Sequence, residues 1–277
     1  MSIENLRAIT GVWLDCMHKG VRLDGDKGDK ECMSFDGARV EFDGSRGVVP
    51  NIPARGFNLA YAVREFLWYC GGDRFDHSIV EHAKIWQKFI QPDGGINSNY
   101  GQYMFNGYPT FGVSQTSQFE HCYQELLHNP DTRRASMVLL KQEHLYRDNA
   151  DMVCTFGMTF HIRENHLNMH VSMRSNDAVW GLTNDAFCFN MIQRMMVARL
   201  KIDYPGLMVG MYTHDAHSMH VYKRHYQMVF DGIHQDHLYE EVNPPMPDYD
   251  DYLHLIEHSQ QNSAGGVFTD WARSVLQ

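Results

Sequence analysis

Residues 154–185 read CTFGMTFHIRENHLNMHVSMRSNDAVWGLTND, and this segment decides the predicted fold. Its first part favours a β-strand, residues 163–166 are polar enough to turn, and apolar and polar side chains alternate over residues 167–173. The pattern predicts a β-hairpin. A hairpin brings Arg174, just past the second strand, back towards Cys154, and an arginine beside a cysteine lowers the pKa of the thiol. Cys154 is therefore a candidate nucleophile.

The same segment closes on Asp185, which precedes an apolar run from Ala186 to Leu200. An aspartate in this place is typical of a helix N-cap, so its carboxylate is predicted at a strand-to-helix junction. Taken alone, Cys154 is not specific, because a single cysteine is usually a small buried apolar residue. The rest of the chain has to supply the context.

Length and composition restrict the class of protein. The chain has 277 residues, 43% of them hydrophobic, and no internal repeat, which predicts one domain over residues 1–277. Six cysteines without CxxC spacing indicate reduced thiols. Since no twenty-residue apolar run and no signal-like N-terminus are present, we expect a soluble, cytoplasmic protein without a membrane partner. The net charge of −10 disfavours binding to a nucleic acid polymer and favours a nucleotide monomer.

Periodicity predicts several further elements. They are helices over Ile3 to Met17 and Phe57 to Cys70, strands over Cys32 to Phe42 and Ala135 to Leu140, and a surface loop with limited structure over His234 to Leu253. Within the second helix, Glu65 lies among aromatic residues. It either points to solvent or is a buried carboxylate with a raised pKa, suited to proton transfer.

One cluster of histidines offers a rival interpretation. His214, His217 and His220 recur every third residue, which could suggest a zinc site. Three-residue spacing places the outer pair poorly on one helical face, and no HExxH pattern is present, so no metal site is predicted.

Several motifs, in this order along the chain, together resemble thymidylate synthase and its relatives. They are Arg64-Glu65-Phe66-Leu67-Trp68-Tyr69, Tyr100-Gly101, Asp131-Thr132-Arg133-Arg134, Cys154, Met173-Arg174-Ser175-Asn176-Asp177, Asp185 and His220-Val221-Tyr222. The local spacing also matches, with twenty residues from Cys154 to Arg174 and eleven more to Asp185. The resemblance extends from about residue 20 to about residue 228, and the segment 229–277 diverges.

The resemblance implies an α/β (α+β) fold of the thymidylate synthase type, in which a large mixed β-sheet forms a back-to-back homodimer interface and helices cover the other face. It implies catalytic roles for Cys154, Glu65, Asp185 and Tyr100. It also implies nucleotide contacts by Lys27, Arg133, Arg134, Arg174, Ser175, Asn176, Asp185, His220 and Tyr222. The implied co-substrate is 5,10-methylenetetrahydrofolate, contacted by Trp86, Phe89, Asp177 and Gly181.

Two of these implied phosphate contacts have special features. Arg133 and Arg134 would cross the dimer interface to the nucleotide phosphate of the neighbouring subunit, where their planar forks fit a phosphate well. Lys27 lies in a glycine-rich, charged loop, in which Arg22 or Lys30 could serve instead.

Within this family, the combination of Ile96-Asn97-Ser98-Asn99-Tyr100-Gly101, Met173 to Asp177 and Asn184-Asp185 is similar to the phage deoxycytidylate (dCMP) hydroxymethylases. Asp185 replaces the asparagine that recognises uracil, Met173 replaces a glutamine, and Thr155 replaces the histidine after the cysteine. Cytosine presents an N3 acceptor and an N4 donor, which a carboxyl group can match. The expected product is 5-hydroxymethyl-dCMP. Transfer of hydride to give 5-methyl-dCMP, action on CMP or dUMP, and a catalytically silent nucleotide-binding relative remain alternatives.

Overall fold

The computed structural model describes residues 3–24, 31–110, 113–146, 149–235, 239–257 and 265–277. The α-helices are α1 (Ile3–Lys19), α2 (Leu59–Gly71), α3 (Ser78–His82), α4 (Gly101–Met104), α5 (Gln118–His128), α6 (Gly181–Leu200), α7 (Tyr226–His234), α8 (Tyr249–Leu255) and α9 (Val267–Leu276). Short 3-10 helices cover Lys84–Phe89, Gln142–His144 and Lys223–His225.

The β-strands form one large sheet and two small ones. They are β1 (Val21–Leu23), β2 (Cys32–Asp43), β3 (Pro50–Asn51), β4 (Tyr108–Thr110), β5 (Val113–Thr116), β6 (Ser136–Val138), β7 (Thr155–Arg163), β8 (His166–Met173), β9 (Asn176–Asp177), β10 (Met208–Tyr222) and β11 (Glu240–Glu241). The large sheet has the order β1-β2-β10-β8-β7-β6, with β9 also paired to β10. Both β8 and β9 run parallel to β10, whereas the other pairs are antiparallel, so the sheet is mixed as predicted.

The predicted hairpin over residues 154–173 is confirmed as β7 and β8. Phe160 pairs with Met169, and the register closes on Arg163 opposite His166. The two residues between them, Glu164 and Asn165, have φ values of 49° and 61°. Positive φ at both positions is typical of two-residue hairpin turns, whose twist matches that of the strands.

The alternation along β8 fixes which face of the sheet is covered. The apolar side chains of β8 are buried, and the polar ones between them are partly exposed. Helix α6, in which almost every residue is buried, packs against this apolar face and against α2 on its other side. Within the described ranges, no helix has both the length and the apolar character required to cross a membrane.

The prediction of a loop with limited structure over residues 234–253 is wrong at its C-terminal end, where α8 begins at Tyr249, and residues 236–238 lie outside the described residues. Helix α8 begins there because the carboxylate of Asp248 accepts from the backbone N–H of Asp251 (2.9 Å) and the Asp251 carboxylate accepts in return from that of Asp248 (3.0 Å). The next helix, α9, packs on α2 through an edge contact between Phe268 and Phe66, with ring centroids 5.5 Å apart. Acidic capping residues were misread as surface loop.

Candidate active site

The end of the hairpin places Arg174 beside Cys154. The backbone N–H of Arg174 donates to the carbonyl oxygen of Cys154 (2.8 Å), which lies directly before β7. The Arg174 side chain donates to the carbonyl oxygens of Val153 (Nε, 3.1 Å) and Met152 (Nη2, 2.7 Å). Cys154 is also partly exposed, whereas the other five cysteines are buried. Among the thiols of this chain, it is therefore the accessible one.

The predicted low pKa of this thiol is wrong in its net direction. Arg174 lowers the pKa of Cys154, as expected, but burial is the larger effect and raises it, and the carboxylates of Asp185 and Asp151 add to the increase. The thiol of the ligand-free chain is therefore protonated at neutral pH. Neutralising Asp185, or engaging it with a substrate, would favour the thiolate because a nearby negative charge would be removed.

Asp185 lies inside helix α6 rather than at its N-cap. The helix begins at Gly181, after Asp177 Oδ1 accepts from the backbone N–H of Val179 (2.9 Å). Because Asp177 turns the chain ahead of the helix, Asp185 lies one turn inside it. Asp185 Oδ2 accepts from Asn176 Nδ2 at 2.8 Å. The residue as a whole is half-buried, and burial of its carboxyl group is the main cause that raises the pKa to about 7.

Glu65 is buried, which decides between the two interpretations of its sequence context. Its side chain on α2 is 5% exposed. Tyr69 donates to Oε1 (3.1 Å), and the buried Oε2 has no hydrogen-bond partner among the described residues. Burial, followed by the charge of Asp185, raises the pKa of Glu65 to about 8. Two carboxyl groups thus share a region that disfavours ionising both.

Aromatic side chains enclose Glu65. Tyr69 and Tyr100 pack with ring centroids 5.4 Å apart, and Tyr100 also stacks on Phe189. Burial raises the pKa of Tyr100, and the charges of Cys154 and Asp185 raise it further. Tyr100 therefore keeps a neutral hydroxyl near Cys154 and Asp185.

The indole of Trp86 connects to the same region. Its Nε1 donates to the hydroxyl of Tyr61 (2.9 Å), which lies beside Glu65, and its ring packs against Phe89 with centroids 5.6 Å apart. Tyr61, Glu65 and Tyr69 repeat every fourth residue on α2. This spacing was a signal that could have identified the two tyrosines, because residues four apart lie on one helix face.

Strand β9 brings the second group of predicted residues to the site. Asp177 pairs with His220 of β10, and the backbone N–H of Ala178 donates to His220 O (2.8 Å). The rings of His220 and Tyr222 lie 4.8 Å apart, and the charges of both Asp177 and Cys154 act on Tyr222. His220 and Tyr222, two of the implied nucleotide contacts, therefore lie near the thiol.

The three histidines of the rival interpretation lie on β10, a strand, so the helical spacing considered for them does not apply. His214 is fully buried, and His217 is exposed. Because successive strand residues point to opposite faces, His217 faces away from His214 and His220.

The comparison with known families identifies the family to which this chain belongs. The sequence model of a family described as thymidylate synthase matches residues 11–244. This chain belongs to the thymidylate synthase family. It is an enzyme of the type that transfers a one-carbon unit to C5 of a pyrimidine nucleotide.

Individual relatives fall into two groups. The deoxycytidylate 5-hydroxymethyltransferase of Enterobacteria phage T6 is 32% identical over 179 residues, covering 62% of this chain and 70% of the phage protein. A thymidylate synthase of Bacillus licheniformis is 26% identical over 207 residues, covering 74% of this chain and 71% of that protein. Among solved structures, thermostable thymidylate synthase A from Bacillus subtilis aligns with a TM-score of 0.71 at 20% identity, covering 88% of this chain and 86% of the other.

Other residues predicted from the family resemblance take different positions. Ser175 lies half-buried between Arg174 and β9, and Gly181 faces Asn176, where a Cβ would lie 2.6 Å from Asn176 Oδ1. Arg133 and Arg134 are exposed before the edge strand β6 and make no side-chain hydrogen bond or ion pair within the described part of the chain. Lys27 lies outside the described residues.

Proposed function

We propose that this enzyme hydroxymethylates C5 of dCMP. The observation that carries the proposal is the carboxyl group of Asp185, which acts electrostatically on both Cys154 and Glu65 and has a pKa of about 7. Near neutral pH this group can both accept and donate hydrogen bonds. A side-chain amide offers a fixed pattern, whereas such a carboxyl group can accept from the N4 amino group of cytosine and donate to N3.

The cost of a mismatch supports cytosine over uracil. Uracil presents an N3 donor and an O4 acceptor, the reverse of cytosine. Each buried polar group left without a partner costs roughly 1–3 kcal/mol, so a pocket matched to one base rejects the other.

The proposed chemistry begins with Cys154. Cytosine C5 is a poor nucleophile. When the Cys154 sulfur bonds to C6, the thiol gives up its proton and N3 takes one from Asp185, and C5 becomes enamine-like, which divides one difficult step into easier ones. 5,10-Methylenetetrahydrofolate, when bound, supplies the one-carbon unit. C5 takes up that carbon and loses its proton as tetrahydrofolate departs, which leaves an exocyclic methylene group on the base.

Glu65 is suited to the last step. In its ionised form, Glu65 can hold a water molecule on the unpartnered Oε2 next to the methylene carbon and accept a proton as the water adds. The Cys154 sulfur then leaves C6 with its electron pair. The balance is dCMP, methylenetetrahydrofolate and water giving 5-hydroxymethyl-dCMP and tetrahydrofolate.

The assembly we propose is a homodimer with shared sites. The sheet face opposite α6 carries the half-exposed side chains of β8. Arg133 and Arg134 are exposed next to the edge strand β6, and their guanidinium groups have no partner among the described residues. A neighbouring subunit packed on this face would receive them at its nucleotide phosphate, together with its own Arg174 and Ser175.

Competition between nucleotides tests the substrate. Mass spectrometry of products from an equimolar mixture of dCMP, dUMP and CMP should show 5-hydroxymethyl-dCMP, with tetrahydrofolate as the second product. Dihydrofolate with 5-methyl-dCMP would instead establish the methyltransferase.

In Asp185→Asn, preference should move towards dUMP by ~10-fold or more, because the amide matches uracil. Retention of the preference for dCMP would contradict the base-reading role.

Exchange of the C5 hydrogen of dCMP with solvent, without folate, distinguishes an enzyme from a silent relative. The wild-type chain should catalyse exchange, and Cys154→Ala should abolish it, because the adduct at C6 is needed to labilise that hydrogen. Cys122→Ala, which removes a buried cysteine on α5, is the control and should retain exchange. Absence of exchange in the wild-type chain would support the silent relative.

A further inference from the structure

A buried chain of hydrogen bonds extends behind Asp185, away from solvent. Asn176 Nδ2 donates to Asp185 Oδ2 (2.8 Å) and lies 3.2 Å from Nε2 of His214. The other imidazole nitrogen of His214, Nδ1, lies 2.7 Å from the hydroxyl of Tyr212. His214 is 0% exposed, so it cannot touch a substrate and can act only through Asn176.

The tautomer of His214 follows from its partners. Burial lowers the pKa of His214 to about 3, so the ring is neutral and has one donor and one acceptor nitrogen. Asn176 Nδ2 is a donor only. Nε2 must therefore accept, and Nδ1 carries the hydrogen and donates to Tyr212. The opposite tautomer would require the Asn176 oxygen on the side of His214.

The orientation of the Asn176 amide leaves its oxygen without a hydrogen bond, and the contacts of its nitrogen offset this cost. Its Oδ1 is buried without a hydrogen-bond partner among the described residues and lies against Gly181. Its two N–H groups serve Asp185, His214 and the sulfur of Met173 (2.9 Å). If the acceptor on His214 were lost, the amide could turn and place Oδ1 against Asp185.

This orientation decides where a neutral Asp185 holds its proton. Because Asn176 donates to Oδ2, that oxygen must remain an acceptor, and the proton resides on Oδ1, which makes no hydrogen bond within the described part of the chain. A reversed amide would draw the proton to Oδ2 and leave Oδ1 as an acceptor only. The first pattern can donate to cytosine N3, whereas the second can accept from uracil N3–H.

The charged and titratable groups around Asp185 do not determine which of its two oxygens holds the proton. Asp177 on β9 disfavours the charged form of Asp185, and Asp185 in turn acts electrostatically on Glu65 of α2 and on the thiol of Cys154. These acidic groups do not distinguish its two oxygens. Tyr212 and Cys188 are also within range, and both are protonated because burial raises their pKa values. The hydrogen bond from Asn176 is what makes the two oxygens unequal.

We infer that His214 is a specificity-determining positioning residue, which holds the Asn176 amide nitrogen on Asp185 Oδ2 and thereby directs the donor oxygen Oδ1 to N3 of cytosine. The inference rests on the proposed function. It adds His214 and Tyr212, and a positioning role for Asn176, to the base-reading machinery. Of these three residues and Asp185, only Asp185 would contact the base.

Three variants test this chain through the ratio of kcat/KM for dCMP to that for dUMP. His214→Leu removes the acceptor and should lower the ratio by ~10- to 100-fold, the range for a mismatched hydrogen-bonding site. His214→Gln offers a carbonyl oxygen near the position of Nε2 and should restore the ratio to within ~3-fold of wild type. Tyr212→Phe frees Nδ1 from its partner and should give a smaller decrease. A purely structural role would reduce turnover of both nucleotides equally, without rescue by glutamine, and that outcome would overturn the inference.

A measurement on the free protein separates this inference from the proposed function. Nitrogen NMR of the chain labelled with 15N-histidine should show His214, assigned by its absence in His214→Gln, as the Nδ1–H tautomer from pH 6 to 8. An Nε2–H tautomer or a protonated ring would refute the inference whatever the substrate, and this remains decisive if His214→Leu does not fold. Conversely, an Nδ1–H tautomer in a wild-type enzyme that prefers dUMP would refute the proposed function and leave the tautomer assignment intact.

Discussion

Two buried carboxyl groups, those of Glu65 and Asp185, are held in a site that disfavours ionising either of them. Glu65 and Asp185 come from different helices. The pKa of Glu65 is raised by burial and then by the charge of Asp185, and the pKa of Asp185 is itself raised mainly by burial. An ion pair with an arginine would relieve the conflict, but Arg174 donates to backbone carbonyl oxygens instead. The site therefore holds protons at neutral pH, as a reaction that moves them requires.

The pH dependence of stability should reveal the proton on Glu65. Its pKa is about 8 in the folded chain and about 4.3 in an unfolded one, so between these values unfolding releases a proton and the free energy of unfolding falls as pH rises. Glu65→Gln removes this loss. The free energy of unfolding of the variant minus that of the wild type should therefore be larger at pH 8 than at pH 5, by roughly 1–3 kcal/mol. Urea denaturation at both pH values measures this difference.

The control for this comparison is Glu81→Gln, which removes an exposed carboxylate on α3. A stability difference for Glu65→Gln that is the same at pH 5 and pH 8 would mean that Glu65 is ionised in the folded chain. An ionised Glu65 could still accept a proton from water, but the raised pKa of about 8, and with it a site that holds protons at neutral pH, would be refuted.

Among the elements, the C-terminal helices depend on one buried carboxylate. Asp251 is fully buried on α8, and its Oδ1 accepts from the backbone N–H of Gly266 (3.0 Å) and Thr269 (2.8 Å) and from the hydroxyl of Thr269 (2.6 Å). Its Oδ2 accepts from the N–H of Phe268 (3.0 Å). The first turn of α9 is thus fastened to α8, and through Phe268 to the helix that carries Glu65.

Asp251→Asn should destabilise the protein by ~2–4 kcal/mol, since an amide presents N–H groups to some of these donors and leaves them unpaired. Urea denaturation measures the change. Asp250→Asn, an exposed neighbour on the same helix, should alter stability by less than ~0.5 kcal/mol. Equal effects of the two substitutions would show that α9 is held by apolar packing alone.

At the scale of the whole molecule, sharing of sites between subunits is testable by complementation. Cys154→Ala and the double variant Arg133→Ala/Arg134→Ala should each be inactive or strongly impaired alone. If the arginines serve the neighbouring site, an equal mixture after exchange of subunits should recover about a quarter of wild-type activity, because half of the dimers each have one intact site.

No recovery in that mixture, with subunit exchange verified by mass spectrometry, would contradict the shared site. Mixing Cys154→Ala with Asp185→Asn is the matched control. Those two residues act within one chain, so no dimer would gain an intact site, and activity towards dCMP should not recover.

Local patterns determined much of this protein. The alternation over residues 167–173 predicted the hairpin and the covered face of β8, because side chains on a strand alternate between faces wherever it lies. The hairpin in turn predicted the contact between Cys154 and Arg174. The ordered motifs predicted the family, since each is short and their combination is specific.

Only the tertiary structure decided what depends on distant segments packing together. Burial of Glu65, the raised pKa of Cys154 and the hydrogen bond from Asn176 to Asp185 all arise where α2, β9 and α6 meet. No local pattern reports the desolvation of a group or the charges that other elements bring near it. Even the start of α6 depended on hydrogen bonds of Asp177 rather than on its apolar run, which is why Asp185 lies inside the helix.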